Sequence, residues 1–441
     1  MASTRLTRSI TGSNAKKATL SFWIKRGALG GSAYVVFTNR IDASNDTLVR
    51  FTSDLIDFKD YQSGSNVGRL ETTQVFRDTS AWYHIVISID TTLGTADDRQ
   101  KMYVNGEQIT SFASRTNYAQ DTVLNINKTG TMEIGANNGA DYFDGLMSYF
   151  AFVDGTAYDA SYFGETNAAT GIWKIKTSPS VTYGTNGFFL KMDTTSPGSD
   201  TSGNDNTFTA SGTPTLAQDN ASNNFTTLNP LNAYYTNSTF SNGNTTFASG
   251  SSYSGTTANI LLSTGKWYWE GKPISKDGDG DNYVFGIQGQ EATGTNQFVG
   301  SQAFGWMYYG ASGQLYNNNS GASYGDTFTA GDIIGVALDC TNNKLYFSKN
   351  GTFILSGNPS TGANGISITA PASVSLGGYY PSQTFWTGNS GTFSMNFGNG
   401  FFGVTAVASS NADAAGHGLF EYAVPTGYYT LNTKNLNTYG G

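Results

Sequence analysis

The stretch Gly331–Gly351, GDIIGVALDCTNNKLYFSKNG, decides how this chain is read. IIGVALDC and KLYFSK are short runs of β-branched, aromatic and aliphatic residues, and each ends at a turn signal. An Asn-containing turn, TNN, separates them. Asn350-Gly351 then follows the second run and precedes TFIL. Asn-Gly accepts positive φ at both centres of a two-residue turn, so it marks a hairpin. The segment is therefore an antiparallel meander.

The same pattern extends outward. Asn259–Leu262, Gly265–Gly271 (GKWYWEG), Tyr283–Gln288 and Phe304–Tyr309 precede the meander as further short strands. Toward the N-terminus the runs are Ala18–Lys25, Ala33–Thr38, Thr47–Thr52, Trp82–Asp90 and Gln100–Val104. In WYHIVISID, Tyr83, Ile85, Ile87 and Ile89 form one apolar face, while Trp82, His84, Val86, Ser88 and Asp90 form a mixed one; such a strand puts one face in a core. Asn105-Gly106 directly after KMYV predicts a second hairpin. Asp144-Gly145 and Asp154-Gly155 bracket LMSYFAFV, which reads as the closing strand of a first sandwich.

Length and composition agree with an all-β chain. The 441 residues suggest about three domains at roughly 150 residues each. Charged residues make up 13%, against about 25% in an ordinary soluble domain, and there are 54 glycines. Lys and Arg number 24 against 32 Asp and Glu, a net charge of −8, which argues against nucleic acid and against an anionic membrane surface as partners. No run of about 18 apolar residues is present for a membrane span, and the N-terminus lacks a signal-peptide stretch. One cysteine, Cys340, cannot form an intrachain disulfide. A surface composed for exposure without an export route fits a virion surface protein released by lysis.

Taken in order, LSFWIK, WYHIVISID, KMYVNGEQI and FDGLMSYFAFVDGTAYDASYFG resemble the concanavalin A-like, laminin-G-like family, over roughly residues 15 to 165. GKWYWE, FGIQ and GDIIGVALDCTNNKLYFSKNG together resemble a SPRY domain over about residues 237 to 400. The expected organisation is two antiparallel β-sandwiches of jelly-roll type, 1–165 and 237–400, an extended connector at 166–236 and a C-terminal segment at 401–441. Phe188, Phe189, Leu190, Phe208, Phe225, Leu228 and Leu231 recur through the connector, which predicts that it lies against the sandwiches. The connector string NNFTTLNPLN and the tail LFEYAVPTGYYTLNTKNL resemble bacteriophage structural proteins that join these two domains. That resemblance implies a virion surface protein, expected as a tail fibre or appendage that binds host surface glycan, associates with itself and with other virion proteins, and breaks no bond. The alternatives are a capsid decoration or architectural protein and, third, a glycan-depolymerising tailspike.

The residues argue against an enzyme. The best-known catalytic signature of concanavalin-type glycan hydrolases is Glu-x-Asp-x-x-Glu, and none of the seven Glu has Asp two positions later, which leaves only carboxylates converging from separate strands. No Gly-x-Ser-x-Gly elbow occurs, His84 lies inside a strand and His417 in a Gly-rich loop, so no triad and no cofactor is expected. Asp277, Asp279 and Asp281 alternate as at the start of a calcium loop. Asn282 stands where Gly belongs and Gln288 where a bidentate Glu belongs, which excludes an EF-hand and leaves at most an incidental calcium on a solvated acidic turn. The candidate ligand contacts are aromatic: Trp306 and Tyr309, beside Tyr308 in FGWMYYG, and Trp386 in GGYYPSQTFW. Their flat faces suit sugar rings, but strand neighbours point opposite ways, and core or subunit interface is the competing reading.

Overall fold

The computed structural model describes residues 3–31, 33–168, 170–193, 196–233, 238–250, 254–276, 281–291, 298–385 and 391–440. The chain divides into two compact units, Met1–Leu216 with Asn220–Ser222, and Ala217–Asp219 with Asn223–Gly441. Each is a sandwich of antiparallel sheets, as the alternating runs and turn dipeptides predict. The helix Thr433–Tyr439 is a single short element, and no helix among the described residues is long and apolar enough to cross a membrane.

In the first unit an eight-stranded sheet runs Phe112–Thr116, Ser65–Val75, Leu55–Gln62, Asn45–Thr52, Tyr34–Asp42, Gly130–Ile134, Arg5–Ile10, Thr209–Ser211, counted over the described residues. It packs on a six-stranded sheet in the order Phe188–Leu190, Gly145–Asp154, Lys17–Arg26, Tyr83–Asp90, Gln100–Val104, Glu107–Gln108. Ile85, Ile87 and Ile89 enter the core between the sheets with Phe22, Phe58 and Phe150. Val86, on the other face, packs with Ala151, Val153, Phe163 and Phe189 in an outer apolar layer. That face looks mixed in sequence because the segment after Gly155 covers it. Gly145–Asp154, expected to close the sheet, is interior instead: Phe188–Leu190 pairs beyond it, Phe150 opposite Leu190. Three residues, all buried, are too short a run to be recognised as a strand by alternation.

In the second unit the seven-stranded sheet runs Leu228–Ala233, Ser254–Ala258, Tyr380–Phe385, Tyr283–Gln288, Gly305–Tyr309, Gln314–Asn317, Ser320–Ser323 among the described residues. The facing sheet runs Ser238–Ser241, Thr246–Ser249, Gly391–Asn396, Lys266–Lys276, Ile334–Asp339, Lys344–Lys349, Thr352–Phe353. Trp267 and Trp269 fill the core with Phe285, Phe347 and Phe393. Burying side chains of this size contributes roughly 1.5–3 kcal/mol each. Tyr268, between the two tryptophans, points outward and meets the edge of Phe420 at 5.1 Å. The C-terminal segment thus covers this sheet, and its Tyr429–Thr430 pairs in parallel with Trp267 and Tyr268.

Candidate functional site

A cleft of about 380 Å³ opens near the Ser320–Ser323 end of one sheet and the Thr352–Phe353 end of the other in the second sandwich, lined by Tyr308, Tyr324, Gly325, Asp326, Lys349 and the run Thr352–Leu355. Local chemistry places each wall. Tyr308 and Trp306 sit two apart on Gly305–Tyr309, so both face inward. Tyr324 follows the edge strand Ser320–Ser323 and stands edge-on to Tyr308 at 5.6 Å. The Tyr308 hydroxyl donates to the Asp326 carbonyl, and the Tyr324 hydroxyl accepts from Phe347 N at 3.4 Å. Burial pushes the Tyr308 phenol well up and that of Tyr324 to about 12, so both stay neutral.

The opposite wall follows from the Asn350-Gly351 hairpin. Asn350 (φ 47°) and Gly351 (φ 83°) make the turn that pairs Lys349 with Thr352. Lys349 donates to the Thr327 carbonyl at 2.7 Å and lies 3.5 Å from Asp332, which fixes it at one side. Beyond Phe353 the backbone leaves extended geometry: Leu355 (φ 53°) and Ser356 (φ 56°) are consecutive non-glycine residues in the left-handed region. Such conformations cost of order 1–3 kcal/mol each. Leu355 is nevertheless 64% exposed at the cleft mouth. Gly325 forms part of the cleft wall; a Cβ there would lie 2.9 Å from the Ile354 side chain. The result is an aromatic and aliphatic slot with a carboxylate, Asp326, at its rim.

The sequence candidates fall elsewhere or beside it. Trp306 is 6% exposed, packed edge-on against Tyr379 at 5.7 Å in the core, with almost none of its surface open to a ligand. Tyr309 faces the other side of the sheet, half-buried, its hydroxyl donating to Asn282. Trp386, Asp277 and Asp279 lie outside the described residues. Asp281 accepts from the Thr329 hydroxyl at 2.8 Å, and the described residues hold no group of three His, Cys, Asp or Glu that could bind a metal. Tyr324, Asp326, Lys349 and Leu355 were missed. Lys349 and Leu355 stand in the deciding segment or just after it, but nothing in their neighbours' types announces a left-handed leucine.

Two buried groups bear on chemistry. The His84 ring is fully buried, stacked on Trp23 at 4.7 Å. Trp173 Nε1 donates to its Nδ1 at 3.0 Å, so Nε2 carries the proton and donates to Ser21 Oγ at 2.9 Å. Burial holds the imidazole neutral, with its pKa lowered to about 3. Ser21 therefore faces a donor and not a base. Glu270, also buried, accepts from Tyr422 N (2.9 Å), Glu421 N (3.0 Å), the Tyr268 hydroxyl (3.1 Å) and Asn396 Nδ2 (3.3 Å). Desolvation pushes it up to about 7 against those four donors. Cys340 is buried with its thiol pushed up to about 12, chiefly by desolvation, and packs as a small apolar residue.

Comparison with known proteins matches residues 266–398 to the SPRY domain and residues 3–160 to the concanavalin A-like lectin/glucanases superfamily. Curated relatives include Ran-binding protein 9 of Danio rerio, 37% identical over 95 residues, which are 21% of this chain and 15% of that protein. Ran-binding protein 9 of Homo sapiens is 36% identical over 95 residues, 21% of this chain and 12% of that protein. The chain therefore spans well under a fifth of the length of these relatives. The SPRY domain of human HERC1 is a solved structure with 21% identity and a TM-score of 0.31, covering 38% of this chain and 96% of that one. Both domain resemblances hold. The expectation of a phage protein does not: the curated relatives include Ran-binding proteins of eukaryotes, Danio rerio and Homo sapiens among them. Tail fibre, head decoration and tailspike, and the virion surface as location, are all overturned by these relatives. The charge-poor, glycine-rich composition that suggested a virion is what two sandwiches with many short loops require on their own account.

Proposed function

We propose that this chain, which joins a concanavalin A-like domain to a SPRY domain, is a protein-interaction module whose second sandwich binds a peptide segment of a partner in the Tyr308–Tyr324 cleft. The observation that carries this reading is Leu355, an exposed leucine held in left-handed backbone at the mouth of an aromatic slot. Strained backbone with an apolar side chain in water is retained where binding uses it. The module binds without breaking a bond and without a cofactor; the tautomer of His84 and the saturated carboxylate of Glu270 support this, since neither is poised as a base.

The test is selection of random twelve-residue peptides on a display library against the full chain. Peptides enriched for an apolar residue are expected, with binding weakened about tenfold or more by Leu355→Asp, a change at an exposed position that leaves the fold intact. Selected peptides that bind wild type and Leu355→Asp equally well would remove the cleft from the reading. The relatives are named for Ran, so Ran is the first whole protein to titrate.

A further inference from the structure

The seven-stranded sheet of the second sandwich ends in an edge that is chemically unguarded. Ser320–Ser323 (SGAS) is the last strand, and all four residues are exposed. It joins Gln314–Asn317 through Asn318 and Asn319, both at positive φ, with Asn317 opposite Ser320. In a two-residue hairpin the flanking pair is hydrogen-bonded, and the pattern alternates along the ladder. Ser320 and Ala322 therefore point their backbone groups inward to Gln314–Asn317, and Gly321 and Ser323 point theirs outward. Among the described residues no backbone partner meets those outward groups.

Natural edges are blunted by charge, proline or a bulge. At the first sandwich's edge strand Phe112–Thr116, Arg115 lies over Phe112 at 5.4 Å and the pairing is bulged. SGAS carries none of these. Its remaining chemistry points to a guest: Tyr308, Leu315 and Ala322 are in register on one face, and Tyr324, two residues past Ala322, continues that face into the cleft. A strand laid along this edge sends every second side chain toward Tyr308, Tyr324 and Leu355. Asp326 is exposed at the rim without an ion pair among the described residues, on a chain of net charge −8.

We propose that Ser320–Ser323 binds a partner peptide by strand addition, with an apolar peptide side chain entering the cleft and an adjacent Lys or Arg meeting Asp326. This rests on the cleft being the peptide site, and it adds how the peptide's backbone is held. Main-chain hydrogen bonds supply affinity in such complexes, and the pocket for alternate side chains supplies selectivity.

The experiment uses the peptides selected above, on the full chain. Each peptide is resynthesised with one backbone amide N-methylated at a time. Strand addition requires a period of two: methylation at alternate positions weakens binding tenfold or more, and at intervening positions less than twofold. Ser323→Pro, which removes an outward N–H and is tolerated on an edge, is expected to weaken binding about tenfold with an unchanged melting temperature. Asp326→Lys is expected to reverse the preference for basic residues. If Leu355→Asp abolishes binding but Ser323→Pro and N-methylation leave it alone, strand addition is wrong and the cleft reading stands. If no variant matters, both fall. If wild type dimerises in sedimentation, Ser323→Pro makes it monomeric and peptide binding is unaffected, the edge serves a second copy of the chain and the proposal is overturned.

Discussion

The two sandwiches use one hairpin device and finish it differently. In the first, Asn105 (φ 48°) and Gly106 (φ 87°) turn the chain, and Asn105 Oδ1 accepts from His84 N at 2.8 Å. In the second, Asn350 and Gly351 do the same, and Asn350 Oδ1 accepts from Ile333 N at 2.8 Å. Each glycine lies beneath an aromatic ring from a later segment of its own unit: a Cβ on Gly106 would be 2.5 Å from Trp173, and one on Gly351 2.5 Å from Tyr422. Glycine is needed at both for φ and for space. The covering segments then diverge. The first closes over a neutral histidine through Trp173. The second is tied by backbone amides to the carboxylate of Glu270, and leaves the far side of the Asn350-Gly351 hairpin to line a cleft. The same turn chemistry can therefore seal a face or frame a site, according to what packs above it.

The largest expected effect tests those two ties. Glu270→Ala strips the acceptor from two backbone N–H groups and from Asn396, and should cost the second unit about 3–5 kcal/mol in urea unfolding. Hydrogen exchange should rise at Glu421 and Tyr422. His84→Ala in the first unit should cost about 2–4 kcal/mol, from the cavity and the abandoned Trp173 indole N–H. If exchange at Glu421 and Tyr422 does not change in Glu270→Ala, the carboxylate is not what holds the tail.

Next in size are Gly106→Ala and Gly351→Ala. Positive φ alone costs roughly 1–2 kcal/mol, and displacement of the ring above adds to it. Restoring space with Trp173→Ala or Tyr422→Ala in the double variants should recover the second part only. Additive double-variant energies, measured as a cycle, would break the parallel between the two hairpins.

Smallest per step of the titration is the pH dependence, in which the two units should move in opposite directions. Folded Glu270 holds its proton up to about 7 against 4.5 when unfolded, so the native state binds more protons between these values and the second unit loses stability as pH rises through that window. Folded His84 titrates at about 3 against 6.5 when unfolded, so the first unit loses stability as pH falls below 6.5. Each slope is limited to about 1.4 kcal/mol per pH unit. Two calorimetric transitions shifting the same way would contradict the assignment, as would slopes that persist in Glu270→Gln and His84→Gln.

Much of this architecture is legible without coordinates. WYHIVISID announces its core face, both Asn-Gly turns are found where they are expected, and GKWYWEG reads as a strand. These are consequences of a period of two and of positive φ, which act between residues close in sequence. Phe188–Leu190 was not legible as a strand, because three residues carry no period, and its pairing to Phe150–Phe152 is a long-range choice. The site was hardly legible at all. Trp306 and Tyr309 have the residue types that bind ligands, yet one is consumed by the core and the other faces away from the cleft. Tyr324, Lys349 and Leu355 have no shared motif, since what unites them is the nearness of two sheet ends.

The longer strands, the Asn-Gly hairpins and the core face of WYHIVISID were thus determined by the sequence alone, because alternation and turn conformation are properties of neighbouring residues. Which aromatics stay buried, which edge stays open and where a carboxylate meets a slot were decided only by the tertiary structure. Burial and hydrogen-bond pairing depend on segments tens to hundreds of residues away, as Glu270 and Tyr422 show across 152 positions.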